Sequence, residues 1–469
     1  MNREPRSALV PSPDKQAEED LWQRYGAERG IWTEPMLNTL ARGEEGTKWF
    51  SLIDKVRSMR TLEMAWAKVQ FNAGASGVDG ISVVLYSKDS QNRLLAVNEQ
   101  LRQERYQPKA IRRVYIPKAG SNEKRPLGIP TVKDRVVQTA LKMVIQPIFE
   151  ATFAPTSYGF RPGRGCKDAL REVERLLHSG YTHIVDVDIK GYFDNIPHAP
   201  LMKLVKERIA DGKVLGLIEA FLRQPVEEPE DKTASDRHVG LIAPEETSEE
   251  EREKGSPQGG TISPLLANIY LNPLDWLLAE LGLKSARYAD DLVILATSAT
   301  EAQQALERVK EWMERAQLTL HPEKTRVVDM NQSQAYFDFL GYRFWRTKKG
   351  RVARLVRPKS KKKLRESLKR PTRRTSGKCL PAIIAEINPV IRGWYAYFKQ
   401  AIPGEHEKMD QWIRMRLRSI LRKRNKGQGR GRGLDHFRWP NRYFEELGLV
   451  SLGRERAKEL SLLRNGAKC

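Results

Sequence analysis

RYADDLVIL, residues 287–295, sets two adjacent carboxylates between an aromatic residue and an apolar run rich in β-branched side chains. A short apolar run of this kind reads as a buried strand, and Asp290 and Asp291 read as the tip of a hairpin leading into it. By itself such a pair is weak evidence for chemistry, because aspartate hydrogen-bonds its own backbone in turns. A second stretch changes its weight. THIVDVDIKGYFDNIPH, residues 182–198, places Asp188 at the end of another buried strand, with the bulky Phe193 five residues later. Three carboxylates then become available to two metal ions. Phosphoryl transfer needs little covalent help from a protein; it needs cations about 3.5–4 Å apart that activate a hydroxyl and stabilise the leaving group. Oxygen ligands suit Mg²⁺ for that task. Asp186 and Asp194, in the same stretch, read as surface or capping residues.

Around these strands, residues 80 to 345 alternate short strand-like runs (IRRVYIPK, THIVDVDI, LVILAT) with amphipathic helices. One helix begins at Asp134 and carries Val137, Leu141, Val144 and Ile145 on its inner face. The fold class expected is α+β. Residues 20 to 70 show helical spacing with Trp22, Trp32, Trp49 and Trp66, ended by Gly74, Gly77 and Gly80. They read as a helical N-terminal extension behind a short disordered lead-in. Residues 226 to 254 hold 11 acidic and 4 basic residues without periodicity, which predicts an exposed loop.

After Lys359 the pattern becomes basic and helical. In HEKMDQWIRMRLRSILRKR, Met409, Trp412, Ile413, Leu417 and Ile420 share one face, while Arg414, Arg418 and Arg422 recur at i, i+4 and i+8 on another. The first face is expected to pack and the second to track phosphates. NKGQGRGRG reads as a flexible basic linker, and HFRWPNRYFEELGLVSL as a small aromatic-containing tail.

Bulk properties bound the partners. The 469 residues are 40% apolar and 30% charged, and no apolar run approaches the ~20 residues of a bilayer span, so no membrane partner is expected. The N-terminus lacks a signal-peptide h-region. Cys166, Cys379 and Cys469 are too dispersed for a zinc cluster and read as free thiols of a reducing cytosol. The net charge of +23 is unevenly placed: residues 341–469 hold 36 basic and 10 acidic residues, +26, and residues 1–340 hold 46 and 49, −3. Such an excess in the C-terminal part calls for a polyanion, and nucleic acid fits it best.

VYIPK (114–118), RPLGIPTVKDRVVQ (125–138), SYGFRPGRG (157–165), DIKGYFDNI (188–196), GSPQGGTISPLLANIYLN (255–272), YADD (288–291), HPEKT (321–325) and FLGY (339–342) occur in this order. The series resembles that of group II intron-encoded reverse transcriptases, over about residues 60 to 345 and more loosely beyond. The resemblance implies a right-hand polymerase, fingers and palm with an antiparallel sheet, followed by an all-α basic thumb and maturase domain. The corresponding divisions are 1–70, 71–345, 346–425, and a basic linker with a small DNA-binding-like tail at 426–469.

By resemblance, Asp188, Asp290 and Asp291 bind two Mg²⁺ ions, with Mn²⁺ as a substitute, and the Ile189 carbonyl completes a metal shell. Lys118 and Arg125 look like the residues that clamp the dNTP triphosphate. Phe193 resembles a steric gate against a 2′-hydroxyl, and Gln258 lies in a loop that packs on the nucleotide. Lys324 resembles a lysine that protonates pyrophosphate. In the basic half, Arg414, Arg418, Arg422, Lys361, Lys362 and Arg373 are the RNA-contact candidates, while Trp394, Tyr395 and Phe398 read as helix packing. Implied partners are the group II intron RNA, an RNA template with a DNA or RNA primer, dNTPs and target DNA, in a bacterial cytoplasm and associated with the nucleoid. The resemblance is to compact members without the Cys-rich endonuclease domain, so target-strand cleavage is not expected. Two other readings share these motifs: a relative recruited to host defence or repair, and an RNA-binding maturase with little polymerase activity.

Overall fold

The computed structural model of the protein describes residues 21–43, 46–117, 124–229, 253–431 and 433–466. The expected N-terminal lead-in, most of the acidic segment, Lys118 and Cys469 lie outside the described residues. Among the described residues the chain forms two compact units, one up to Val327 and one from Val328 onward.

In the first unit, β3 (His183–Val187) is an inner strand of a four-stranded sheet of order β5-β6-β3-β7, with β5 at Lys284–Tyr288, β6 at Asp291–Ala296 and β7 at Arg326–Asp329, the strand in which that unit ends. β3 and β6 pair antiparallel, Val185 with Ile294 and Val187 with Leu292. Both strands are apolar because helices cover them, and Val185, Val187, Leu292, Ile294 and Leu295 are buried. A second sheet joins β1 (Ile111–Pro117) antiparallel to β2 (Lys124–Ile129), with the two-residue β4 (Val226–Glu227) on the other side of β1.

The helix expected near Asp134 spans Val132–Glu150 and is capped by Thr131, whose hydroxyl accepts from the Asp134 amide at 3.1 Å. Its Val137, Leu141, Val144 and Ile145 are all buried. The N-terminal tryptophans belong to the same core. Trp32 is 1% exposed, donates its indole N–H to the Met143 carbonyl, and meets Trp49 edge-on at 5.2 Å. One contiguous core runs from Tyr25 to Leu318, with no break at the expected division after residue 70.

The second unit opens with a three-stranded antiparallel sheet, β8 (Tyr336–Phe339), β9 (Tyr342–Arg346) and β10 (Val352–Val356). Its helical part therefore starts at Pro358, after β10, where aromatic and β-branched residues of YRFWR and VARLV pair across a turn. The helices Pro358–Lys369, Leu380–Phe398 and Pro403–Arg424 share one core with Trp439, Phe444, Leu449 and Leu452. The tail is part of this core.

The GQGRG segment is also held. Gly431 donates its amide to Ser419 Oγ at 3.0 Å, and a Cβ on Gly431 would come within 2.4 Å of Arg418 Cβ and 3.1 Å of its carbonyl carbon. Glycine here permits close contact with a helix; the expected flexible linker is instead packed against it. Among the described residues no helix is long and apolar enough to cross a membrane.

Candidate active site

The sheet places its carboxylates by register. Asp188 follows β3 directly, one step beyond the Val187–Leu292 pair, which brings it level with Asp291. β5 and β6 form a hairpin whose last pair is Tyr288–Asp291, leaving Ala289 and Asp290 as a two-residue turn. Ala289 has φ of +59°, a left-handed value that costs a residue other than glycine about 1–3 kcal/mol.

That turn is held by a buried arginine which the sequence motifs alone do not single out. Arg287, 1% exposed, donates Nε to Asp275 Oδ1 at 2.8 Å, Nη1 to Asn268 Oδ1 and to the Ala289 carbonyl at 2.9 Å each, and Nη2 to Ser157 Oγ at 2.8 Å. Asp275 is itself fully buried. A buried ion pair with every donor engaged is costly to break, about 3–5 kcal/mol, because one partner is left charged and unpaired. The signal in the sequence is an aspartate inside the apolar helix segment NPLDWLL and an arginine inside a buried strand. Ser157 and Asn268 come from the SYGF and ANIYLN motifs, so these two motifs support the YADD turn.

The HPEKT segment clasps Asp188 from the other side. The His321 amide donates to the Asp188 carbonyl at 2.8 Å, and Lys324 Nζ stands 3.0 Å from Asp188 Oδ2. Lys324 thus pairs with one of the predicted metal ligands. Loss of solvation pushes the Asp290 carboxyl pKa up, and the Asp188 charge adds to that, while Arg125 and Arg287 oppose it. Ile189 is buried and bridges Leu320.

Phe193 lies in the 3₁₀ turn Tyr192–Asp194, half-buried, its ring 5.6 Å from that of Tyr192. The GSPQGG loop is tied to it, with the Ser256 amide donating to the Phe193 carbonyl at 2.7 Å. Gln258 donates Nε2 to Asp194 Oδ2 at 3.3 Å, so Asp194, read from the sequence as a surface or capping residue, is exposed and also tied to the predicted nucleotide loop. The Gly128 amide donates to the Gln258 carbonyl at 2.6 Å, and a Cβ on Gly259 would meet the Gly128 carbonyl oxygen at 2.2 Å. The glycines of this loop accommodate β2. Arg125, exposed on β2, is near enough for its charge to act on Asp290 and Asp194. Lys118 lies outside the described residues.

Three acidic side chains with hard oxygen donors, one of them destabilised by another's charge, fit a divalent cation. Among the described residues no three His, Cys, Asp or Glu side chains already stand as a ready metal shell.

The arginine stripe of the second unit is engaged internally. Arg418 is 3% exposed and donates to the Trp439 carbonyl at 2.9 Å and Asn441 Oδ1 at 2.8 Å. Arg422 pairs with Asp435 at 2.7 Å, and the Arg414 side chain is 12% exposed, 3.8 Å from Asp410. The predicted phosphate-tracking face is therefore mainly an intramolecular one. Lys361 pairs with Glu405 at 2.8 Å, whereas Lys362 and Arg373 are exposed. Trp394 and Phe398 pack at 5.0 Å, as expected of packing residues.

A family model for reverse transcriptase (RNA-dependent DNA polymerase) matches residues 116–344, and one for the group II intron maturase-specific domain matches 361–439. Protein YkfC of Escherichia coli (strain K12) is 33% identical over 313 residues, 58% of this chain and 77% of that protein. The group II intron-encoded protein LtrA of Lactococcus lactis subsp. cremoris is 35% identical over 230 residues, 49% of this chain and 35% of that protein. An uncharacterized 91 kDa protein in the cob intron of Schizosaccharomyces pombe is 35% identical over 208 residues, 44% of this chain and 22% of that protein. The chain thus spans about a third of LtrA's length. With both family models matched in order and the YADD hairpin set level with Asp188, the chain belongs to the family of group II intron-encoded reverse transcriptases and maturases.

Proposed function

We propose that the chain is an RNA-directed DNA polymerase that also binds its group II intron RNA, promoting splicing and intron mobility by target-primed reverse transcription. The observation that carries this reading is the register of β3 with β6, which sets Asp188 level with Asp291 beside the Asp290 turn. Polymerases of this family use divalent metal ions. Asp188, Asp290 and Asp291 would hold two Mg²⁺ ions, with the Ile189 carbonyl as a further ligand and Mn²⁺ as a substitute. When bound, those ions activate the primer 3′-hydroxyl and stabilise the departing pyrophosphate.

The remaining roles belong to side chains. Arg125 and Lys118 bind the triphosphate through charge-assisted bonds. Phe193 packs under the sugar and excludes a 2′-hydroxyl, and the Gln258 loop, braced by Asp194, packs on the incoming nucleotide. Lys324, whose Nζ stands 3.0 Å from Asp188 Oδ2, would give a proton to the departing pyrophosphate from its ammonium. Lys362 and Arg373, with neighbouring exposed cations of residues 346–425, contact intron RNA.

The test is extension of a DNA primer on an RNA template by the full chain. Asp291→Asn is expected to lower extension by roughly 10³-fold, the scale of losing a principal electrostatic contributor, with an unchanged melting temperature. Wild-type protein that incorporates no dNTP, or an Asp291→Asn variant that extends normally, refutes the reading.

A further inference from the structure

Phe160, in the SYGFRPGRG motif, has φ of +59°. For a bulky side chain this left-handed backbone is a genuine outlier, and such strain persists only where the surroundings impose it. Here both flanks are fixed. On the N-terminal side, the Tyr158 amide donates to the Arg287 carbonyl at 2.8 Å, the Arg287 amide donates to the Thr156 carbonyl at 2.9 Å, and Asn268 Nδ2 donates to the Gly159 carbonyl at 2.7 Å. A Cβ on Gly159 would stand 2.3 Å from the Ala289 nitrogen, so this backbone is pressed onto the YADD turn. On the C-terminal side, the buried Arg161 donates Nε to Glu150 Oε1 at 2.8 Å and Nη1 to the Ala154 and Ser157 carbonyls at 2.6 and 2.9 Å.

None of these bonds buries the ring they present. Phe160 is 47% exposed, and its nearest aromatic neighbour is Tyr288 of the catalytic turn, at 6.3 Å between centroids. Folding gains little from a strained backbone that turns an apolar ring to solvent. A ligand with an apolar face would gain from it, and the ligand that must reach Asp188 and the Asp290 turn is nucleic acid.

We propose that Phe160 is a nucleic-acid contact of the polymerase site, its ring packing with Tyr288 against the base or sugar face of the primer–template at the primer end. The inference rests on the polymerase reading above. The SYGF backbone and the carboxylate turn are braced by the same Arg287, so the aromatic contact and Asp290 are held in one rigid frame.

A merely structural role and a binding role separate in Phe160→Gly. Glycine removes the left-handed strain, so a ligand contact predicts a variant that melts at or above the wild-type temperature yet binds primer–template roughly tenfold more weakly, the scale of losing one stacked base. Binding is read by fluorescence anisotropy of a labelled DNA primer on an RNA template. Phe160→Tyr keeps the ring and is expected to bind like wild type, while Phe160→Leu keeps apolar bulk without a stacking plane and is expected to bind more weakly. Wild-type affinity in Phe160→Gly overturns the proposal whatever its melting temperature. If Phe160→Gly does not fold, Phe160→Leu decides: binding equal to Phe160→Tyr overturns the proposal, and weaker binding supports it. Wild-type protein that extends primers while all three variants bind normally sinks this inference alone; wild-type protein that extends none sinks the polymerase reading beneath it.

Discussion

Arg287 in the first unit and Arg418 in the second are both buried arginines, 1% and 3% exposed, and the sequence treats them in opposite ways. Arg287 stands in a nearly neutral stretch and attracts no notice. Arg418 stands in a stretch of charge +26, on a regular stripe, and reads as a phosphate contact. In the structure both serve the fold. Arg287 braces the Ala289–Asp290 turn, bonding the Ala289 carbonyl as well as Asp275, Asn268 and Ser157, and Arg418 fastens the segment around Trp439 to the Pro403–Arg424 helix. A periodic charge pattern states which helix face an arginine occupies; it does not state whether its five N–H donors are already engaged.

Arg287→Ala strands the buried Asp275 and is expected to cost the first unit about 3–5 kcal/mol, read as a lower denaturant midpoint. An unchanged midpoint would remove the reason for treating the two arginines alike. Arg418→Ala is expected to cost about 1–3 kcal/mol, chiefly by leaving the Trp439 carbonyl without its donor. If Arg418→Ala keeps its stability and loses RNA affinity, the arginine stripe is a contact surface after all.

The exposed cations make the converse case. Replacing Lys362 and Arg373 by alanine is expected to leave melting unchanged and to lower the salt dependence of RNA binding by about one in logarithmic slope for each phosphate that is no longer neutralised. A slope identical to wild type would place the RNA surface elsewhere.

The smallest expected effect is pH-dependent and touches both units. Burial holds the His198 and His406 pKa values below 6.5, with nearby Arg223 and Arg456 adding to the depression. Glu253 opposes it at His198, as Asp410 and Glu405 do at His406. In the unfolded chain each imidazole takes up a proton near pH 6.5, and in the folded chain it resists, so stability is complete above that pH and declines as the pH falls below it. His198, whose Nε2 lies 2.7 Å from the Gly255 carbonyl, ties this acid sensitivity to the GSPQGG loop. His198→Gln is expected to flatten the acid limb of the first unit's melting curve and leave that of the second.

What the sequence could determine was set by local chemistry and by order. The apolar runs of β3 and β6, the Thr131-capped helix and the hairpin turn before Asp291 follow from residue type within a few positions, and the ordered motifs pointed to the family. The three aspartates were legible because Asp188 ends one apolar strand run and Asp290 and Asp291 open another, inside two of the ordered motifs.

Tertiary structure decided the rest, since each remaining feature depends on groups far apart in the chain. Arg287 reaches back 130 residues to Ser157, and Lys324 reaches 136 residues to Asp188. Gly431 packs where only the folded Pro403–Arg424 helix creates a tight surface. The division of the basic half into engaged and exposed cations has the same origin. A charge can be read from one residue, but the partner that neutralises it is brought there by the fold.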